Sequence, residues 1–165
     1  TGGEPLLGWQ RVWPELLEMC KEIGLKNVTY ETNGTQTLKE PFKEWIKNCD
    51  TEIFFSVSPK LFTVSGEKTD KAIKPETVAE YYKLRKTGQL KFVVGEKDRE
   101  WDEMESAIEK FRNAGVEWPV WVMPTGAREE EQVSGAGKVA EKAFKKGYNV
   151  AARVHVYLFG NAIGT

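Results

Sequence analysis

The sequence predicts an α/β fold in which parallel strands form part of a barrel, and two observations carry that expectation. Segments with strand character alternate with segments of helical spacing from Asn27 to Tyr157, and such alternation implies β/α units joined by right-handed crossovers. Several strands also carry one polar face, whereas parallel strands buried on both sides read as nearly continuous apolar runs. Over 52–58, Ile53, Phe55 and Val57 oppose Ser56 and Ser58, and over 27–32, Val28 and Tyr30 oppose Thr29 and Glu31. In a last strand expected over Val150–Tyr157, Val154 and Val156 oppose Arg153, His155 and Tyr157, with Leu158 just beyond on the apolar side. Side chains alternate across a strand, so the polar faces must line a hydrated or ligand-filled concavity. A flat doubly wound sheet lacks such a concavity and an open barrel has one. The expected architecture is a partial, TIM-like β/α barrel, read as a single domain over residues 1–165.

The elements follow in order. Leu16, Leu17, Cys20 and Ile23 recur at helical spacing up to Gly24, with Pro14 near the helix start. Asn27–Thr32 is a strand broken by Asn33-Gly34, a pair that favours positive φ. Phe42–Cys49 reads as a short amphipathic helix, and 52–58 as a strand stopped by Pro59. The polar stretch 62–74 is expected to be the longest loop, before a helix over Pro75–Lys86 that Gly88 ends. Leu90–Val94 is the next strand, followed by a helix over Asp98–Asn113 with Asp98 as its cap. Pro119–Met123 is a strand with Pro124-Thr125-Gly126 as its exit turn, and Glu129–Lys146 a long helix weakened by Gly135 and Gly137. The chain opens on Thr1-Gly2-Gly3-Glu4-Pro5, a glycine turn with a carboxylate beside it, although such turns normally follow a strand. The chain thus reads as one entered part-way through, with the first strands of its barrel missing.

Composition narrows the function. With 40% hydrophobic and 30% charged residues and a formal net charge of -1, the chain offers no global basic surface for nucleic acid. No apolar run reaches membrane-spanning length and no charged-then-apolar leader is present, so neither a membrane partner nor export is expected. Cys20 and Cys49 form no CxxC pair or Cys/His cluster, so they suit a reducing compartment, and cytoplasm is the expected location. The same spacing supplies no ligand set for a metal ion or an iron–sulfur cluster. The tryptophans, among them Trp9, Trp13, Trp45 and Trp101, are expected to pack in the core or between helices. Lys138, Lys142, Lys145 and Lys146 form a basic stripe expected to face solvent.

Function in such folds collects at the carboxyl ends of strands, where Glu31-Thr-Asn-Gly34, Ser58-Pro-Lys60 and Met123-Pro-Thr-Gly126 lie. With the opening glycine turn, these sequences resemble those of the radical S-adenosylmethionine enzymes, and within them the 7-carboxy-7-deazaguanine synthase family. Thr1-Gly-Gly-Glu-Pro5 is similar to the family's glycine-glycine-glutamate motif, and Ser58-Pro-Lys60 to its serine-proline-lysine turn. Arg153-Val-His155 is similar to a terminal strand whose histidine meets the substrate. The resemblance implies a carbon–nitrogen lyase of queuosine and deazapurine biosynthesis that converts 6-carboxy-5,6,7,8-tetrahydropterin to 7-carboxy-7-deazaguanine. In it a reduced four-iron four-sulfur cluster cleaves S-adenosylmethionine to a radical that abstracts a substrate hydrogen.

Carried over to this chain, the resemblance implies a cofactor site made by Gly2, Gly3, Glu4, Asn33, Ser58, Pro59, Lys60, Met123, Pro124, Thr125 and Gly126. Thr1, Arg153 and His155 would contact the pterin, and no residue here would be catalytic or bind metal. The family's Cys-x3-Cys-x2-Cys loop and its magnesium-binding threonine have no counterpart in this sequence. The chain is therefore expected to be a fragment that is inactive alone, the cluster and Mg2+ belonging to a parent protein, and to self-associate into a homo-oligomer through its exposed sheet edge. Two other readings remain at this point: a binding or interaction module without a cluster, and a β/α domain that binds phosphate at helix N-termini.

Overall fold

The computed structural model describes residues 3–126 and 128–160. Helix α1 (Trp13–Glu22) leads to β1 (Asn27–Thr32), α2 (Phe42–Asn48) and β2 (Glu52–Val57). Two short helices, α3 (Phe62–Ser65) and α4 (Thr69–Ala72), precede α5 (Pro75–Leu84). Then come β3 (Gly88–Val94), α6 (Asp98–Asn113), β4 (Val120–Pro124), α7 (Glu129–Lys145), β5 (Asn149–Val150) and α8 (Val154–Phe159). The five strands lie in the order β1-β2-β3-β4-β5, and every neighbouring pair is parallel. A sheet in unbroken sequence order with right-handed crossovers puts its helices on one side. That is the winding of a barrel segment, and the fold is compatible with a partial β/α barrel.

Burial follows the same division. Tyr30, Phe55, Val57, Leu90, Phe92, Val94, Val120 and Val122 point into one core with Trp101, Phe111 and Trp118. The opposite face carries Thr29 and Glu31 on β1, Gln89, Lys91 and Val93 on β3, and Trp121 and Met123 on β4, all exposed or half-exposed. On β2 that face is better covered: Phe54 is half-buried, and Ser56 is buried with its Oγ accepting a hydrogen bond from Gln89 Nε2 at 2.8 Å.

Two expected elements differ. The segment 62–74 contains two short helices, α3 and α4, and Glu103 of α6 caps the first of them. Its carboxylate accepts from the amides of Phe62 and Thr63 at 2.8 Å each, from the Thr63 hydroxyl at 2.7 Å and from the Thr69 hydroxyl at 3.3 Å. This satisfies donors that a short helix leaves open. The strand expected over Val150–Tyr157 is instead the two-residue β5 followed by α8. Strand β5 pairs with β4 at Trp121 and Val122, and Ala151 N donates to Val122 O at 2.9 Å. Beyond that point β4 ends at Pro124, so the following residues find no ladder and close their hydrogen bonds within a helical turn.

Smaller differences concern boundaries and side chains. Gly88 opens β3 instead of ending α5, and Asp98 is the first residue of α6, its carboxylate accepting from Lys142 Nζ at 2.5 Å. The basic stripe of α7 is paired: Lys138 with Glu96, Lys145 with Glu141 and Lys146 with Glu105. Trp101 and Trp118 are core residues, whereas Trp9 is exposed. Among the described residues no helix is long and apolar enough to cross a membrane.

Burial pushes the Glu103 carboxyl upward, but the hydrogen bonds from Thr63, Phe62 and Thr69 outweigh it and hold the group below its ordinary value. A carboxyl so lowered stabilises the fold fully above its unfolded-state pKa, about 4.3, and loses that contribution as pH falls through the folded value. Urea unfolding should therefore show Glu103→Gln less stable than the unchanged chain at neutral pH, with the gap shrinking below about pH 4. A gap independent of pH would contradict this role.

Candidate functional site

The carboxyl end of β1 is tied to the opening turn by Glu4. Its Oε1 accepts from Thr32 Oγ1 at 2.7 Å and from Leu6 N at 3.1 Å, and its Oε2 accepts from Asn33 N at 2.8 Å. Thr32 Oγ1 also accepts from Gly34 N at 3.1 Å. The Asn33 Oδ1 atom accepts from Thr35 N at 3.0 Å and Thr35 Oγ1 at 2.7 Å, an Asx turn that leaves the amide NH2 as the group Asn33 offers a ligand. Gly34 follows at φ +79°, and a Cβ there would lie 2.7 Å from Val57 Cγ1 and 2.9 Å from Val78 Cγ2. Both the backbone conformation and the space therefore require glycine. The Tyr81 hydroxyl donates to Gln36 O beneath this turn, and burial, then the nearby Glu4 carboxylate, raise its pKa above the ordinary tyrosine value.

The strand ends enclose one concavity of about 470 Å³. Gly3 and Glu4 border it from the opening turn, Glu31, Thr32 and Asn33 from β1, and Ser58 and Lys60 from the turn after β2. Lys91 and Val93 of β3, Met123 of β4 and Arg153 at the start of α8 complete it. Its volume lies in the range of about 300–1,000 Å³ usual for small-molecule sites. Three cationic and two anionic side chains share it. Lys91 Nζ donates to Glu31 Oε1 at 3.1 Å, while the Glu4 carboxylate is turned toward donors of its own turn.

Of the residues singled out from the sequence, the structure brings Gly3, Glu4, Asn33, Ser58, Lys60, Met123 and Arg153 to this concavity. Thr1 and Gly2 lie outside the described residues. Ser58 N donates to Thr32 O at 2.7 Å, extending the β1–β2 ladder, and buried Pro59 separates Ser58 from exposed Lys60. Pro124, Thr125 and Gly126 form the exit of β4 without bordering the concavity. Thr125 N donates to Val94 O at 2.9 Å, and the buried Gln132 side chain donates to Thr125 O at 3.0 Å and Gly126 O at 2.9 Å. His155 was expected beside Arg153 on one strand face. In a helix two residues are about 200° apart at 3.6 residues per turn, and His155 is exposed, outside the lining. Sequence reasoning missed Lys91 and Val93. The signal was the alternation of Gln89, Lys91 and Val93 with Leu90, Phe92 and Val94, visible once the strand starts at Gly88.

These side chains fit a ligand that carries both signs of charge. Asn33 and Ser58 provide neutral polar contacts, and the glycine turn allows close backbone approach. They do not fit an iron–sulfur cluster. Cys20 and Cys49 are both free thiols, one on α1 and the other at the end of α2, and the described residues contain no Cys, His, Asp or Glu group that could hold a metal ion.

Fold and site together define an α/β protein of singly wound parallel topology, with a ligand-sized cavity at the carboxyl ends of its strands. The chain is similar to proteins named 7-carboxy-7-deazaguanine synthase. That of Pyrobaculum aerophilum is 31% identical over 165 residues, covering 99% of this chain and 65% of the relative. That of Rhodopirellula baltica is 28% identical over 177 residues, covering 100% of this chain and 62% of the relative. The chain thus spans a little under two thirds of the length of these curated relatives. No protein-family model matches it. No solved structure matches it either.

Removing the Glu4 carboxylate leaves the Thr32 hydroxyl and the Leu6 and Asn33 amides without their acceptor. Glu4→Ala should lower stability by about 1–3 kcal/mol, measured by urea unfolding, with Glu4→Gln losing less because one oxygen remains. Unchanged midpoints would show that Glu4 does not hold the turn.

Proposed function

We propose that the chain is the cofactor- and substrate-binding portion of a 7-carboxy-7-deazaguanine synthase of the radical S-adenosylmethionine type, acting on 6-carboxy-5,6,7,8-tetrahydropterin. The observation that carries this reading is the convergence of Gly3, Glu4, Asn33, Ser58 and Lys60 on one concavity, in a chain similar along its length to synthases of that name. S-adenosylmethionine, with an iron–sulfur cluster, supplies the hydrogen-abstracting chemistry in such enzymes. The residues of this chain bind and orient. The Glu4 carboxylate receives an ammonium, Asn33 and Ser58 meet hydroxyls, and Lys60 and Arg153 meet anionic groups. Held on strand ends, these groups reduce the ordering that a ligand must impose.

The cluster ligands are not among the cysteines of this sequence, so in this reading the 165 residues bind ligand without turnover. Turnover belongs to a polypeptide that includes what the relatives have beyond the matched stretch.

Calorimetry on the unchanged chain tests the reading. S-adenosylmethionine should bind saturably, Ser58→Ala and Lys60→Ala should each weaken it by about three- to thirtyfold, as expected for one lost polar or charged contact, and a phosphate ester should neither bind nor compete. Displacement of S-adenosylmethionine by the phosphate ester, or no binding at all, would overturn it.

A further inference from the structure

The concavity contains two charged groups that the preceding reading leaves without a task, Lys91 and Glu31. Lys91 sits on β3, a strand paired on both sides, by β2 and by β4. From there its side chain reaches back over β2 to Glu31 on β1, the terminal strand of the sheet, with Nζ 3.1 Å from Oε1. The two partners differ sharply in exposure: the Lys91 side chain is 15% accessible and that of Glu31 73%. The ammonium is therefore positioned by a packed stem, while its counter-ion stands in solvent. An ion pair with one partner so exposed contributes only about 0–1 kcal/mol, so Glu31 is readily replaced. Arg153 borders the same concavity, and its Nε is buried with no hydrogen-bond partner among the described residues. The site thus holds a loosely neutralised lysine and an arginine with unused donor capacity.

Resting on the proposed binding of an adenosylmethionine-type ligand and a carboxylated pterin, we propose that Lys91 is a specificity-determining residue that reads a ligand carboxylate, with Glu31 as its exchangeable counter-ion. On binding, the Lys91 ammonium leaves Glu31 for the ligand carboxylate, which is more completely desolvated in the concavity and so pairs more strongly. Lys60, exposed on a turn, must be ordered by the ligand and so adds affinity for an anionic group with less selectivity than the packed Lys91. The carboxylate belongs either to the methionine moiety of the cofactor or to the pterin, and the chemistry that Lys91 recognises is the same.

Calorimetry on the full chain with two matched pairs separates the sources: S-adenosylmethionine against its decarboxylated form, and 6-carboxytetrahydropterin against tetrahydropterin without the carboxylate. Lys91→Met should weaken the acid of one pair by about ten- to a hundredfold, the loss expected for a charge-assisted contact. Its carboxylate-free analogue should bind as before, and Lys91→Arg should restore part of the loss. Glu31→Gln should tighten the same acid by about two- to fivefold, because a surface competitor worth ~0–1 kcal/mol is removed. Equal losses for acid and analogue in both pairs, or no loss in either, would overturn the assignment and make the pair a structural strut. Failure of the unchanged chain to bind any of the four compounds would overturn the proposed function, and this assignment with it.

Discussion

The arrangement of this molecule depends on one constraint of chain topology. Its five strands are parallel and lie in sequence order, and connections between such strands are right-handed in nearly all sheets. Successive helices therefore return on the same side, and one face of the sheet receives them all. That face takes the aromatic and branched side chains from Tyr30 to Val122 and buries them. The opposite face receives none of the connecting helices, and there the side chains of Glu31, Gln89, Lys91 and Met123 remain at least partly accessible. The cavity at the strand ends follows from this division: open-face residues of β1, β3 and β4 line it together with the turns after β1 and β2.

Within that frame the chemistry is set by a few hydrogen bonds. Glu4 joins a turn at the start of the chain to the end of β1 through Thr32 and Asn33, although 28 residues separate it from Thr32. The carboxylate that would meet a ligand ammonium thus also fixes the position of the turn presenting it. Electrostatics are shared out in the same way. Lys91 is held by its stem and lightly paired, Arg153 keeps a buried Nε with no hydrogen-bond partner among the described residues, and Glu4 already accepts three local hydrogen bonds, leaving one lone pair of its carboxylate for a further donor. The free binding capacity is concentrated in the cations, which suits a ligand bearing carboxylate groups.

The alternation of polar and apolar residues in 27–32 made the one-sided burial of β1 legible from sequence, whereas on β2 the expected open face is covered, with Ser56 buried; the strand-end turns still placed Asn33 and Ser58 at one concavity. The same rule misled at the end of the chain. Val154, Val156 and Leu158 alternate with His155 and Tyr157 as a strand would, but β-character needs a partner, and β4 stops at Pro124. Arg153 nevertheless reaches the cavity, because it lies at the junction between β5 and α8, whereas His155 is carried away on the helix. The caps of α3 were hidden for a related reason. They come from Glu103, 40 residues beyond Thr63 in the chain, and no local pattern reports a partner at that distance.

In the proposed function the concavity bounded by Glu4, Asn33, Ser58 and Arg153 is a site for S-adenosylmethionine. The most direct measurement is a crystal structure of this chain with S-adenosylmethionine bound. The ligand should lie at the carboxyl ends of β1 to β4, with its amino group toward the opening turn and Glu4 and its ribose beside Asn33 or Ser58. Density for the ligand elsewhere on the molecule, with this concavity holding only solvent, would contradict it.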